Sequence, residues 1–164
     1  MRGRVIAAAA LAFLAGASCG VGPGSDSGAG GHLRVVREAG RTSTVMNDPG
    51  RAEYCPSDSI LTVIALGDNR AAGLAVRTLF PFRATSFAVL PELGSVGTAT
   101  AAFRVPNGSA RLGVSGRLHL EASVVLGGDF EIALPDSGKT HVLYRGTLSG
   151  IPIRNAPAGS CAHP

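Results

Sequence analysis

Large aromatic side chains are scarce in this 164-residue chain, which has no tryptophan and only 5% aromatic residues. Large rigid rings dominate many binding sites, so their scarcity argues against a strong aromatic ligand pocket. What the chain does have is 23 glycines, 10 prolines and a hydrophobic content of 45%. These values predict many turns and enough apolar material for the core of one domain.

Long apolar runs and stripes of one charge sign are also missing. Residues 5–14 are apolar throughout, but ten residues are about half of what a membrane-spanning helix needs. The formal charge is +4, and without Arg2 and Arg4 the remaining 13 basic residues face 11 acidic ones. Because those basic residues are scattered singly, we do not expect nucleic acid as a partner.

No catalytic or metal-binding motif is present. Residues 113–116 read Gly-Val-Ser-Gly, which lacks the Gly-x-Ser-x-Gly spacing of a nucleophile elbow. His119 and Glu121 share one face of a predicted strand, and His141 on a nearby strand could add a third metal ligand. A solvated strand face is the simpler interpretation of these three residues. We therefore expect no metal, no cofactor and no catalytic residues.

The N-terminus has the three regions of an export signal in order. Arg2 and Arg4 precede the apolar residues 5–14, and Ala-Gly-Ala-Ser-Cys follows at 15–19. Two cleavage sites are open, an ordinary secretory site after Ala17 and a site before Cys19.

Residues 16–19, Gly-Ala-Ser-Cys, resemble the lipobox of bacterial lipoproteins, with Gly16 where leucine is usual. The resemblance implies a signal peptide at 1–18 and a lipid, such as palmitate, on Cys19 as the new N-terminus. It also implies export and a lipid anchor in the cell membrane or outer membrane, facing the periplasm or exterior. Residues 20–31 are rich in glycine, so 19–31 should form a lipidated flexible tether.

The cysteine count favours the lipoprotein alternative. Three cysteines would leave an odd thiol after cleavage at Ala17, whereas lipidation of Cys19 leaves Cys55 and Cys161 to pair in an oxidising compartment. We predict that these two form a disulfide, which requires their Cα atoms to lie within about 7 Å. The pair would bracket a single domain at residues 32–164.

Short apolar runs separated by turn residues predict an all-β domain from Ile60 onward. We expect about eight strands in an antiparallel β-sandwich or small β-barrel, and the pattern does not separate the two. The expected strands are 60–66, 74–79, 86–90, 98–105, 110–114, 117–125, 129–134 and 140–148. Residues 60–66 are apolar on both faces, which is typical of a central strand between two layers.

The last three strands should form a meander. Leu118 and Leu120 alternate with Arg117, His119 and Glu121, and this period of two is typical of a half-buried strand. Gly127-Gly128 and residues 135–138 are the expected turns, and Asn107-Gly108 is another. Residues 33–37 and 42–46 could form a hairpin or a looser arm.

For function, the sequence favours a membrane-anchored envelope lipoprotein carrying a non-enzymatic binding or structural module. The alternatives are an extracytoplasmic enzyme whose site no motif identifies, and a plain secreted protein cleaved after Ala17. A deep cleft that gathers His119, His141 and a carboxylate would favour the enzyme, and a filled interior would favour the module. The ligand or partner of such a module is left open by the sequence.

Overall fold

A computed structural model describes residues 30–39, 41–104, 108–121, 125–135, 141–157 and 161. These residues contain ten β-strands and no helix that could cross a membrane. The strands are β1 (His32–Ala39), β2 (Arg41–Cys55), β3 (Ile60–Gly67), β4 (Arg70–Arg77), β5 (Thr85–Val89), β6 (Thr98–Arg104), β7 (Ala110–Leu112), β8 (Ser115–Glu121), β9 (Val125–Pro135) and β10 (His141–Asn155).

Nine of the strands close into a β-barrel. Their order around the wall is β4-β3-β2-β1-β10-β9-β8-β5-β6, and β6 pairs back with β4. The closing ladder is antiparallel and runs from Ala71 opposite Arg104 to Val76 opposite Ala99. The short β7 pairs with β6 beyond the point where β5 leaves it. Of the two architectures that the sequence allowed, the chain adopts the barrel.

The segment before residue 55 is part of this wall. β1 and β2 form an antiparallel hairpin, and β1 also pairs with β10. Where β1 begins, at His32, β2 and β10 come together and pair directly in parallel, from Ala52 opposite Ile153 to Tyr54 opposite Asn155. The hairpin alternative is therefore correct, with longer strands than 33–37 and 42–46.

The barrel has two ends that differ in chemistry. At one end, which we call the disulfide end, β2 finishes at Cys55, β3 begins at Ile60, and β4 finishes at Arg77 opposite Ile60. At the other, the hairpin end, the β1–β2 hairpin turns and β3 passes to β4. The direction of each strand, toward one end or the other, follows from the antiparallel or parallel ladders that it forms with its neighbours.

The predicted disulfide is present. Cys55 and Cys161 are bonded, with their Cα atoms 5.7 Å apart. After β10 the chain continues beside β2, where the Ala156 amide donates a 2.8 Å hydrogen bond to the Tyr54 carbonyl. Cys161 therefore meets Cys55 at the end of the fold where β3 begins, as predicted from the sequence.

Side chains fill the inside of the barrel. Inward residues alternate with outward ones along each strand, as in any small barrel. The Phe103 ring lies 5.7 Å from Phe130 and 5.6 Å from Tyr144, measured between centroids. The largest fully buried side chains include Leu33, Leu61, Leu74, Leu118, Leu120, Leu126, Ile132, Leu134 and Ile151.

The meander β8-β9-β10 is confirmed, but its first turn was misplaced. Gly127 and Gly128 lie inside β9, opposite Glu121 and Leu120. Gly128 has a φ of 146°, and a Cβ on it would collide with the His119 carbonyl oxygen. Glycine is therefore needed there for a close approach of two strands rather than for a turn. The connection at 122–124, the predicted turn residues 136–138 and Asn107 lie outside the described residues.

The expectation of a central strand at residues 60–66 was wrong. In β3, Leu61, Val63 and Ala65 are buried, whereas Ile64 is partly exposed and Leu66 is 44% exposed. A closed barrel has a single interior, so every second residue of the strand must face outward whatever its polarity. Opposite Ile64 stands Gly73 of β4, which leaves the outward isoleucine beside a residue with no side chain.

Candidate functional site

The pocket that the described residues form inside the barrel is small. A pocket at the hairpin end has a volume of about 10 Å³, which is roughly the space of one water. Typical small-molecule sites have about 300 Å³ or more. The pocket is lined by Val35, Val45, Met46, Ala71, Phe103, Arg104 and Tyr144. This pocket is therefore too small to hold a small-molecule ligand.

A charged wall covers the outside of β8, β9 and β10. Arg145 donates hydrogen bonds to Glu131 at 2.7 Å and to Glu38 at 2.9 Å. These bonds, with the one to Glu131 contributing most, raise the pKa of Arg145 above its usual value. Because the side chains of Arg145 and Glu131 are about half exposed, the pairs contribute little to stability. They are the cross-strand polar pairs of a solvated sheet.

The alternative of a histidine cluster, which the sequence analysis had weighed against a solvated strand face, does not form. His119 faces Asp129 on β9, whereas His141 faces Pro135, six residues further along the same strand. At about 3.3 Å per residue, the two histidines lie on the order of 20 Å apart. In the described parts of the chain, no group of three metal-binding side chains exists.

A serine–histidine–aspartate row crosses three neighbouring strands, and sequence reasoning missed its first member. Ser86 on β5 lies opposite His119, with the Ser86 Oγ 3.1 Å from the His119 Nδ1, and Asp129 stands opposite His119 on β9. The row crosses the solvated wall, Ser86 and Asp129 are exposed, and its Ser86–His119 bond is an exposed one. The row therefore lies on a part of the wall that solvent reaches.

Arg70 and Asp48 form a bidentate ion pair near the hairpin end. The Arg70 Nε and a terminal nitrogen lie 2.7 and 2.9 Å from the two carboxylate oxygens. The hydrogen bond to Asp48 is the largest cause that raises the pKa of Arg70 above its usual value. The pair links Arg70, which follows the β3–β4 connection, to Asp48 on β2. We interpret it as a structural ion pair.

Two loops at the disulfide end present a different chemistry. We call residues 78–84 and 90–97 together the loop surface. Four large apolar side chains on it are exposed, namely Leu79 at 65%, Val96 at 55%, Phe80 at 44% and Leu90 at 39%. The predicted strand 74–79 had placed Leu79 in the sheet. β4 ends instead at Arg77, so the sequence did not indicate this surface.

Hydrogen bonds and ring contacts hold the loop surface in place. The Thr78 amide donates to the Ser59 carbonyl at 2.8 Å, and the Gly97 amide donates to the Arg77 carbonyl at 2.9 Å. The second bond brings the two loops together at their bases.

Aromatic packing supports the first loop. The Phe80 ring lies 5.1 Å from Tyr54 and 6.1 Å from Phe82, and Tyr54 is itself buried. One side of Phe80 is therefore fixed against the barrel, while 44% of its surface stays exposed. These contacts therefore hold the apolar loop surface in place at this end of the barrel.

No family model, curated protein or solved structure matches the chain.

Proposed function

We propose that this chain is an exported lipoprotein, anchored to a bacterial envelope membrane through a lipid on Cys19. The observation that carries the proposal is the bridge between Cys55 and Cys161. It uses two of the three cysteines and leaves Cys19, at the end of the lipobox-like residues 16–19, as the odd one. A bridge of this kind also fits an oxidising compartment, which is where the N-terminal signal would send the chain.

The barrel, in this proposal, is a non-enzymatic module that acts through its outer surface. The packing of the described interior supports it, because large side chains are fully buried there and the pocket of about 10 Å³ that the described residues line cannot enclose a substrate. His119 and His141, which an enzyme would have needed together, lie on separate parts of the wall. A binding or structural role needs only the exposed wall and loops.

Replacing Cys19 with serine tests the anchor. We expect the variant to leave the membrane fraction and to lose incorporation of labelled palmitate, because the thiol that carries the lipid is gone. The measurement is fractionation after a high-salt wash, followed by immunoblotting of the pellet and the supernatant. Ser18→Ala serves as the matched control, since it alters the neighbouring residue and keeps Cys19.

A Cys19→Ser protein that stays with washed membranes as fully as the control would refute the anchor. The loss of labelled palmitate is the decisive readout, because it does not depend on any membrane contact that the folded domain makes itself.

A further inference from the structure

Exposed apolar side chains concentrate at one end of the barrel. The described residues include six large hydrophobic side chains that are exposed, Leu66, Leu79, Phe80, Leu90, Val96 and Val125. Four of them belong to the loop surface, and Val125 begins β9 at the same end. Leu66, near the end of β3, lies toward the opposite end. Exposed apolar surface gathered in this way marks a contact with a membrane or another protein.

An exposed arginine lies among these apolar side chains. The loop surface carries Arg83 and one acidic residue, Glu92, while Arg77 at the end of β4 is only partly exposed. Arg83 is exposed and follows directly after Phe82. Arginine beside exposed apolar groups is the composition of segments that lie in the headgroup layer, with the apolar groups below it and the cation at its surface.

The place where the described chain enters the wall favours the same end. Gly31 accepts a 2.8 Å hydrogen bond from the Gly50 amide, so the first described residues join the wall beside Gly50. Along β2, Cys55 at the disulfide end is five residues from Gly50, or about 17 Å, and Arg41 at the hairpin end is nine residues away, or about 30 Å.

Cys19 lies twelve residues before Gly31 in the sequence. Because the described chain enters the wall nearer the disulfide end, a lipid on Cys19 would hold the loop surface against the bilayer more readily than the hairpin end.

From these observations we infer that the loop surface is a second membrane-contact site, which inserts Leu79, Phe80, Leu90 and Val96 among the headgroups of an anionic lipid surface. The contact sets the orientation of the barrel, with the disulfide end toward the lipid and the hairpin end away from it. The inference rests on the proposed function for the position of the anchor, and the test below separates the two.

Vesicle binding by the barrel without its anchor tests this inference. All ten strands and both bridged cysteines lie within residues 32–161, so residues 30–164 contain a closed barrel with its own core and can be studied without Cys19. We expect this protein to sediment with vesicles of phosphatidylethanolamine and phosphatidylglycerol, and more weakly with phosphatidylcholine vesicles.

Single substitutions then locate the contact. Leu79→Asp should weaken binding about tenfold or more, because it replaces an inserted apolar side chain with a charge. Arg83→Glu should weaken binding about tenfold on the anionic vesicles only. Leu66→Asp is the matched control, since it makes the same change on an exposed leucine toward the other end and should leave binding unchanged.

Each result decides the matter. Equal binding by the Leu79→Asp and Leu66→Asp proteins would overturn the inference, as would failure of the unaltered barrel to bind any vesicle, which would leave a protein as the ligand of these loops. Circular dichroism and the intact disulfide confirm that each variant is folded. If the barrel binds vesicles and the full chain carries no lipid on Cys19, the loop surface stands and the proposed anchor fails. The reverse result leaves the anchor and removes the loop surface.

Discussion

Replacing both Cys55 and Cys161 with alanine is expected to lower the free energy of unfolding by about 4–5 kcal/mol. The bridge joins residues 106 positions apart, so it restricts nearly the whole barrel in the unfolded state. It also links Cys161, which follows the last strand, to the end of β2. Guanidinium denaturation of residues 30–164, with and without the two substitutions, measures the difference.

A substitution beside the bridge provides the control. The Ser57 Oγ lies 3.1 Å from the Cys55 Sγ, so Ser57→Ala changes the surroundings of the bridge while keeping the bond. Its effect should stay within about 0.5 kcal/mol. A loss below about 1 kcal/mol for the double alanine variant would mean that the cross-link does not constrain the unfolded chain as the loop length requires.

Truncation of Phe130 to alanine should cost about 3–5 kcal/mol of unfolding free energy. Phe130 is 2% exposed and packs against Phe103, which stacks on Tyr144. Removing its ring leaves a cavity in the middle of a barrel whose other side chains are fixed by their strands. Equilibrium denaturation followed by far-ultraviolet circular dichroism gives the value.

The neighbouring residue on β9 is the matched control. Glu131 faces outward and is half exposed in its pair with Arg145, so Glu131→Ala should cost less than about 1 kcal/mol. Phe130→Leu, which keeps more of the buried volume, should lie between the two. Equal losses for Phe130→Ala and Glu131→Ala would contradict the assignment of Phe130 to the interior.

The alternation of side chains made the last three strands predictable. Leu118 and Leu120 are buried, and so are Phe130, Ile132 and Leu134, because one face of each strand turns toward the core. The prediction of a turn at the glycine pair 127–128, made from the same pattern, was wrong. Glycine permits both a tight turn and a close approach of two strands, and the sequence does not say which of the two a given pair serves.

The sequence pattern could not predict the closure of the barrel, for a different reason. The ladder that closes the wall pairs β4 with β6, and residues 71–76 of β4 are small or apolar on both faces. Neither alternation nor turn chemistry indicates which strand such a segment pairs with. The disulfide was predictable because it followed from counting cysteines and from the compartment rather than from the path of the chain.

The outer surface was the hardest part to anticipate. Ser86 reaches His119 across 33 positions in sequence, and only the register of β5 against β8 brings them together. Leu79 was assigned to a strand because it continues an apolar run. Its exposure follows from the end of β4 at Arg77, where the chain leaves the wall.

The most direct test of the proposed lipid anchor is the N-terminus of the mature protein, determined by mass spectrometry after purification from membranes. We expect the mature chain to begin at Cys19 and to carry covalently bound fatty acid there, with Cys55 and Cys161 joined in a disulfide. A mature protein that begins at Ser18, with an unmodified N-terminus and a free thiol on Cys19, would contradict it.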